Sequence, residues 1–162
     1  MSVPSPLPRL ASVAVFSPSE ARSGVTPAAP VPADFDALMQ AHLARVFGER
    51  DAGRRLRALE EVYTEDATLF EPHAAVTGHE AISGAVGALQ ASLPAGFVFT
   101  ASGAAVGHNG VARLHWCAGP PDGPVAVTGT DVARVENGRI KALYGFVDPA
   151  PREPRLVGGS TP

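Results

Sequence analysis

Two acids stand where strand-like patterns should send apolar side chains inward. Glu71 closes the run Thr68-Leu69-Phe70, which reads as a short β-strand, and Pro72 follows it at once. Asp131 lies in "GTDVARVENGRIKALYGF", residues 129–146, where Asn137-Gly138 marks a two-residue hairpin turn. Counting outward pairs Glu136 with Arg139, and the register continues with Val135–Ile140, Ala133–Ala142, Asp131–Tyr144 and Gly129–Phe146 on one apolar face. A buried carboxylate is costly unless it is paired, hydrogen-bonded or protonated. No arginine or lysine shares the Asp131 face in this register, so desolvation should dominate there. A protonated Asp131 beside the Tyr144 hydroxyl, with Phe146 next in the row, would donate to a developing enolate oxygen. Glu71, opening on the same cavity, would be the proton acceptor. Each acid also fits a plain structural role: Glu71 facing water or bonding the next turn, Asp131 satisfying Tyr144 or a helix end.

Five histidines accompany them: His42, His73, His79, His108 and His115. None is spaced i, i+4 with another, and Cys117 is the single cysteine, so neither a metal site nor a cofactor is expected. His42 sits on an apolar helical stripe as a core or cavity histidine. His73, just past Glu71 and Pro72, reads as a pocket-mouth residue that would tune Glu71, or as part of a surface loop. His115 alternates with Val111, Arg113 and Cys117, while Leu114 and Trp116 take the other strand face. Which face meets the cavity is open; if the Arg113 row does, a nearby acid stays ionised. Trp116 reads as core packing.

The elements that must position these groups follow a helix-then-strand order. "DFDALMQAHLARVFGE" puts Phe35, Leu38, Met39, His42, Leu43 and Val46 on one stripe, with Asp34 as N-cap. "DAGRRLRALEEVY" predicts a second helix. Thr77 and Glu80, at capping-box spacing, start a third. Beyond Pro94, "GFVFTASGAAV", "GVARLHWCA", "PVAVTGTDVARVE" and "RIKALYGFVD" predict a four-strand antiparallel meander, an α+β plan.

The 162 residues suit one domain with something left over. Residues 1–32 are rich in Pro, Ser and Ala without period and read as a disordered extension. A signal peptide is the rival reading, but the apolar island "LASVAVF" is interrupted by Ser12 and preceded by prolines and serines rather than a basic patch. The folded domain is expected over 33–148, with an irregular tail over 149–162. A net charge of −3 without a basic run argues against nucleic acid and anionic membranes as partners. No apolar run reaches a membrane span. One cysteine suits a reducing, cytoplasmic setting.

"YTEDATLFEP", "TGHEAI" and "GTDVARVENGRIKALYGF", in that order, resemble the NTF2-like superfamily, in its SnoaL-like and ketosteroid-isomerase-like branch. The resemblance implies a cone-shaped fold, three N-terminal helices on a curved, mostly antiparallel sheet around a pocket. It also implies a homodimer through the sheet faces and an apolar small-molecule ligand. In ketosteroid isomerases the base is an Asp just before the proline, the position of Glu71. Their oxyanion-binding Asp, and the acid/base Asp of SnoaL-type polyketide cyclases, both point to Asp131. The departure lies in the first helix, where the isomerases carry an oxyanion-binding tyrosine and this chain offers Phe47 or Leu43. The implied activity is a cofactor-independent proton transfer on a carbonyl compound, an isomerisation or a cyclisation. Tyr144, Phe146, His73 and His115 are expected around the substrate. A non-catalytic binding or dimerisation module, or an epoxide or ester hydrolase in the same pocket, is the alternative.

Overall fold

The computed structural model describes residues 34–149. The extension expected over 1–32 and nearly all of the tail expected over 149–162 lie outside the described residues. Helix α1 (Phe35–His42) begins at Asp34, whose carboxylate accepts the Ala37 N–H at 2.9 Å. It runs directly into a π-helical turn (Leu43–Phe47), closed by the Gly48 N–H bonding the Leu43 carbonyl at 2.8 Å. Helix α2 (Ala52–Val62) is capped likewise, Asp51 accepting from the Arg54 N–H at 2.8 Å. Helix α3 (His79–Ser92) departs from the expected capping box. It starts behind Gly78 without a side-chain cap, because the Thr77 hydroxyl bonds Thr68 across neighbouring strands at 2.9 Å.

The strands are β1 (Tyr63–Glu71), β2 (Ala74–Thr77), β3 (Val98–Ala101), β4 (Val106–His108), β5 (Val111–Gly119), β6 (Val127–Glu136) and β7 (Arg139–Val147). They form one sheet in the order β2-β1-β7-β6-β5-β3, with β4 also on β5. The β1–β7 pairing is parallel and the others are antiparallel, so the sheet is mixed and the class is α+β. The expected four-strand meander is thus larger. "GFVFTASGAAV" divides into β3 and β4, both paired with β5, and β2 forms a hairpin with β1.

One face of the sheet carries the core. Met39, Val46, Leu59, Val62, Ile82 and Val86 from the helical segments are buried with Leu69, Leu114, Ala133, Ile140 and Leu143 from the strands. Each of the larger of these side chains contributes about 1.5–3 kcal/mol by leaving water. The end of the π-helical turn is fixed from outside. Gln90 donates to the Phe47 carbonyl at 2.7 Å, and the buried Arg55 donates to the Glu49 carbonyl at 2.7 Å. A cation at a helix C-terminus also suits the helix dipole.

The β6–β7 hairpin turns at Asn137 (φ 49°) and Gly138 (φ 75°), the paired positive angles of a type I′ turn. Glu136 pairs with Arg139 and Val135 with Ile140, as the sequence predicts. The next pair is Arg134 with Ala142, so Lys141 is an extra residue in β7, a β-bulge. Every later pair is displaced by one: Asp131 faces Gly145, Val132 faces Tyr144 and Thr130 faces Phe146. Among the described residues no helix is long and apolar enough to cross a membrane.

Candidate active site

A cavity of about 180 Å³ opens against the inner face of the sheet. Leu43 and Phe47 from the π-helical turn, Leu89 and Leu93 from α3 and its end, and Phe99, Trp116 and Val127 from the strands make it apolar. Two carboxylates interrupt this lining, Asp131 of β6 and Glu71 at the end of β1. Ala67 and Leu69 are buried and Glu71 half-buried along the inner side of β1, which places Glu71 at the cavity. Gly145, opposite Asp131, also lines it, and a Cβ there would stand 3.7 Å from Asp131 Oδ1. The missing side chain leaves the carboxylate open to the cavity.

Asp131 is 3% exposed and belongs to a chain of buried polar groups. Trp116 Nε1–H donates to its Oδ1 at 3.0 Å. His42 Nε2 lies 2.8 Å from its Oδ2, and His42 Nδ1 lies 2.6 Å from the Tyr63 hydroxyl. His42 and Tyr63 are fully buried. Hydrogen-bond accounting couples the protons. A buried phenol O–H needs an acceptor, and His42 Nδ1 is the one within reach. With the phenol donating to Nδ1, the imidazole proton would sit on Nε2 and face Asp131 Oδ2; the opposite order, with Nδ1–H given to the phenol oxygen, would need Asp131 to donate. No buried side-chain polar atom among the described residues lacks a partner.

Burial, and then the charge of Asp131, hold the Tyr63 phenol well above its ordinary value of 10.0. The proton is therefore bound more tightly in the folded state than in the unfolded one. The stability it contributes is complete below pH 10 and falls as pH rises toward the folded-state value. Wild type should lose about 1.4 kcal/mol per pH unit from this group in that window. Tyr63→Phe should flatten the alkaline limb of a denaturation-versus-pH series. Equal slopes in the two proteins would contradict the assignment.

Gly129 makes room for the indole. A Cβ at that position would lie 2.2 Å from Trp116 Cζ2, so only glycine lets the ring cross β6 and reach Asp131. Trp116, read from the sequence as core packing, is both buried and a donor at the site.

Glu71 and Asp131 line the same cavity, but the other four expected site residues are elsewhere. The Lys141 bulge turns Tyr144 and Phe146 to the outer face of the sheet, where they are 41% and 55% exposed. Tyr144 stacks there on Phe70, with ring centroids 4.6 Å apart, and is not the partner of Asp131. His115 is also on the outer face. Leu114 and Trp116 take the inner one, and His115 Nδ1 bonds the Thr130 hydroxyl at 2.8 Å while its Nε2 meets Arg113. The Arg113 row therefore does not join the cavity. His73 is exposed in the turn between β1 and β2 and does not line the cavity. At Oδ1 Asp131 accepts, from the Trp116 N–H; at Oδ2 the direction of the bond follows the His42 tautomer. The partners that sequence reasoning missed are His42, singled out only as a core or cavity histidine, and Tyr63, seen only as a helix-end residue.

Residues 39–143 match the SnoaL-like domain family. Among solved structures, a SnoaL-like family protein from Agrobacterium tumefaciens, named as a candidate isomerase, is 29% identical. That match covers 70% of this chain and 96% of the other, with a TM-score of 0.64. A candidate ketosteroid isomerase from Kribbella flavida matches at 15% identity, over 80% of this chain and 90% of its own, with a TM-score of 0.56. A candidate polyketide cyclase from Sinorhizobium meliloti matches at 20% identity, over 67% and 93%, with a TM-score of 0.52. The last two show a shared fold, which is NTF2-like. No curated protein sequence matches the chain.

Proposed function

Because the chain belongs to the SnoaL-like domain family, we propose that it is a cofactor-independent enzyme that moves a proton on a small, largely apolar molecule. The reaction would be an isomerisation or a cyclisation. The observation that carries this reading is Asp131, a carboxylate at an apolar cavity whose two oxygens are each fixed by a hydrogen bond, one with Trp116 and one with His42. Fixing both oxygens sets the direction of the remaining lone pairs, and orientation of this kind is a large part of catalysis. Asp131 is the proposed base. His42 and Tyr63 hold it from behind as positioning residues. Glu71 is the proposed second carboxyl, which returns the proton or passes it to solvent. The substrate needs an unsaturated group, a C=O or a C=N, to acidify the C–H bond that Asp131 meets.

Exchange of α-protons in D2O tests this without knowledge of the natural substrate. Cyclohexanone, phenylacetone and the cyclic imine 2-methyl-1-pyrroline would be followed by NMR with intact and heat-inactivated protein. Saturable acceleration of at least one of them is expected. Rates equal to the heat-inactivated control for all three would overturn the proposal.

The outer sheet face, with Tyr144 and Phe146 exposed, is the proposed surface of a homodimer. A dimer in sedimentation equilibrium that dissociates in Phe146→Asp is expected; a monomeric wild type would contradict it.

A further inference from the structure

We infer that the cavity takes a small organic cation, an amine or iminium carrying a hydrocarbon body of about benzene size. The inference rests on the reading of Asp131 as the working carboxylate and adds the class of molecule that it meets. The first observation is charge. The ionisable side chains lining the cavity are Asp131 and Glu71, and the indole N–H of Trp116 is already given to Asp131. Among the described residues no lysine, arginine, serine, threonine, asparagine, glutamine or tyrosine lines it. A carbonyl oxygen gathering negative charge, or a carboxylate ligand, therefore finds no free side-chain donor and two like charges. The groups that bond Asp131 from behind are the Trp116 indole and the His42 imidazole, the latter held by the Tyr63 phenol; none of them is a lysine or arginine. An opposite charge stabilises a buried carboxylate beyond its hydrogen bonds, and a cationic ligand supplies one.

The walls point the same way. Phe47, Phe99 and Trp116 form an edge-to-face series, with ring centroids 6.1 Å and 5.7 Å apart. Aromatic faces carry partial negative charge and attract alkylammonium groups, more strongly where water is excluded. The size agrees, since the cavity is about 180 Å³ and an apolar cavity of roughly 150 Å³ holds benzene.

A cationic substrate also fits the proton transfer. When Asp131 takes the proton from the carbon beside a C=N⁺ group, the C–H electron pair becomes the new C=C bond. The C=N π pair returns to nitrogen, the carboxylate becomes a carboxylic acid and the iminium a neutral enamine. Charge is lost on both partners, and no anion forms in a pocket without donors. The same step on a ketone would place an enolate beside Glu71.

Trp116 is the single tryptophan of the chain and lies at the site, so its fluorescence reports binding to the full-length protein. Benzylamine, benzyl alcohol and benzoate share one ring and differ in charge. At neutral pH benzylammonium should bind about tenfold tighter than benzyl alcohol or more, and benzoate more weakly than either. In Asp131→Asn that preference should fall to about threefold or less, and Glu71→Gln should reduce it in part. Alcohol or benzoate binding as tightly as the amine, no binding by any of the three, or an unchanged preference in both variants would overturn the inference. Equal binding of amine and alcohol with α-proton exchange intact would sink the cation and leave the proton transfer standing. Amine preference without any exchange would do the reverse.

Discussion

His42→Leu is expected to cost the folded protein about 3–5 kcal/mol, the usual loss when one partner of a buried pair is removed. Leucine suits the volume and the helix, so the loss does not come from a hole or from helix propensity. It comes from Asp131 Oδ2 and the Tyr63 hydroxyl, both buried and both left without the ring that now joins them. Urea denaturation would read the effect as a lower midpoint at unchanged slope. Asp131→Asn in the same background should recover part of the loss, because it removes the unpaired charge. The two substitutions should be non-additive by roughly 0.5–3 kcal/mol. A single-variant loss below about 1 kcal/mol would mean that the histidine is a packing residue.

Asp131→Asn is expected to have the largest effect on chemistry, a fall of about 10²–10⁴-fold in α-proton exchange. Asparagine keeps the size of the side chain and its carbonyl can still accept from Trp116, while its amide N–H meets His42 Nε2 once the ring moves its proton to Nδ1, so the cavity should remain shaped. It has no lone pair basic enough to take a proton from carbon. The loss should therefore appear in the maximal rate rather than in the concentration that half-saturates it. Glu71→Gln, at a half-buried position, should lose less. A decrease under about tenfold in Asp131→Asn would move the base to Glu71.

The three helices, the strand that ends in Glu71, the start of α1 and the β6–β7 turn were legible because each depends on neighbours in the chain. The Asp34 cap and the Asn137-Gly138 turn are local chemistry, and both are observed. The register of Asp131 was not legible beyond Val135–Ile140, because one bulged residue moves every later side chain to the other face. A trace of the bulge does exist in the sequence. Ile140 and Leu143 are both buried although three residues apart, an odd spacing that regular alternation forbids. The partners of Asp131 were out of reach for another reason: His42 and Asp131 are 89 residues apart in the chain, and Tyr63 and His42 are 21 apart. An apolar stripe shows that a histidine is buried, but not what it will meet. The capping box failed through a missed strand, since β2 claims Thr77 for a bond to Thr68.

The claim on which the account turns is that Asp131 accepts protons because His42, itself held by Tyr63, donates to it. Long-range ¹⁵N–¹H correlation of histidine-labelled protein at neutral pH reads this directly, with His42 assigned by the signals lost in His42→Gln. The predicted result is a neutral ring with its proton on Nε2 and a bare Nδ1. A proton on Nδ1 with Nε2 bare would make Asp131 the donor, as the sequence alone suggested, and would return the base to Glu71.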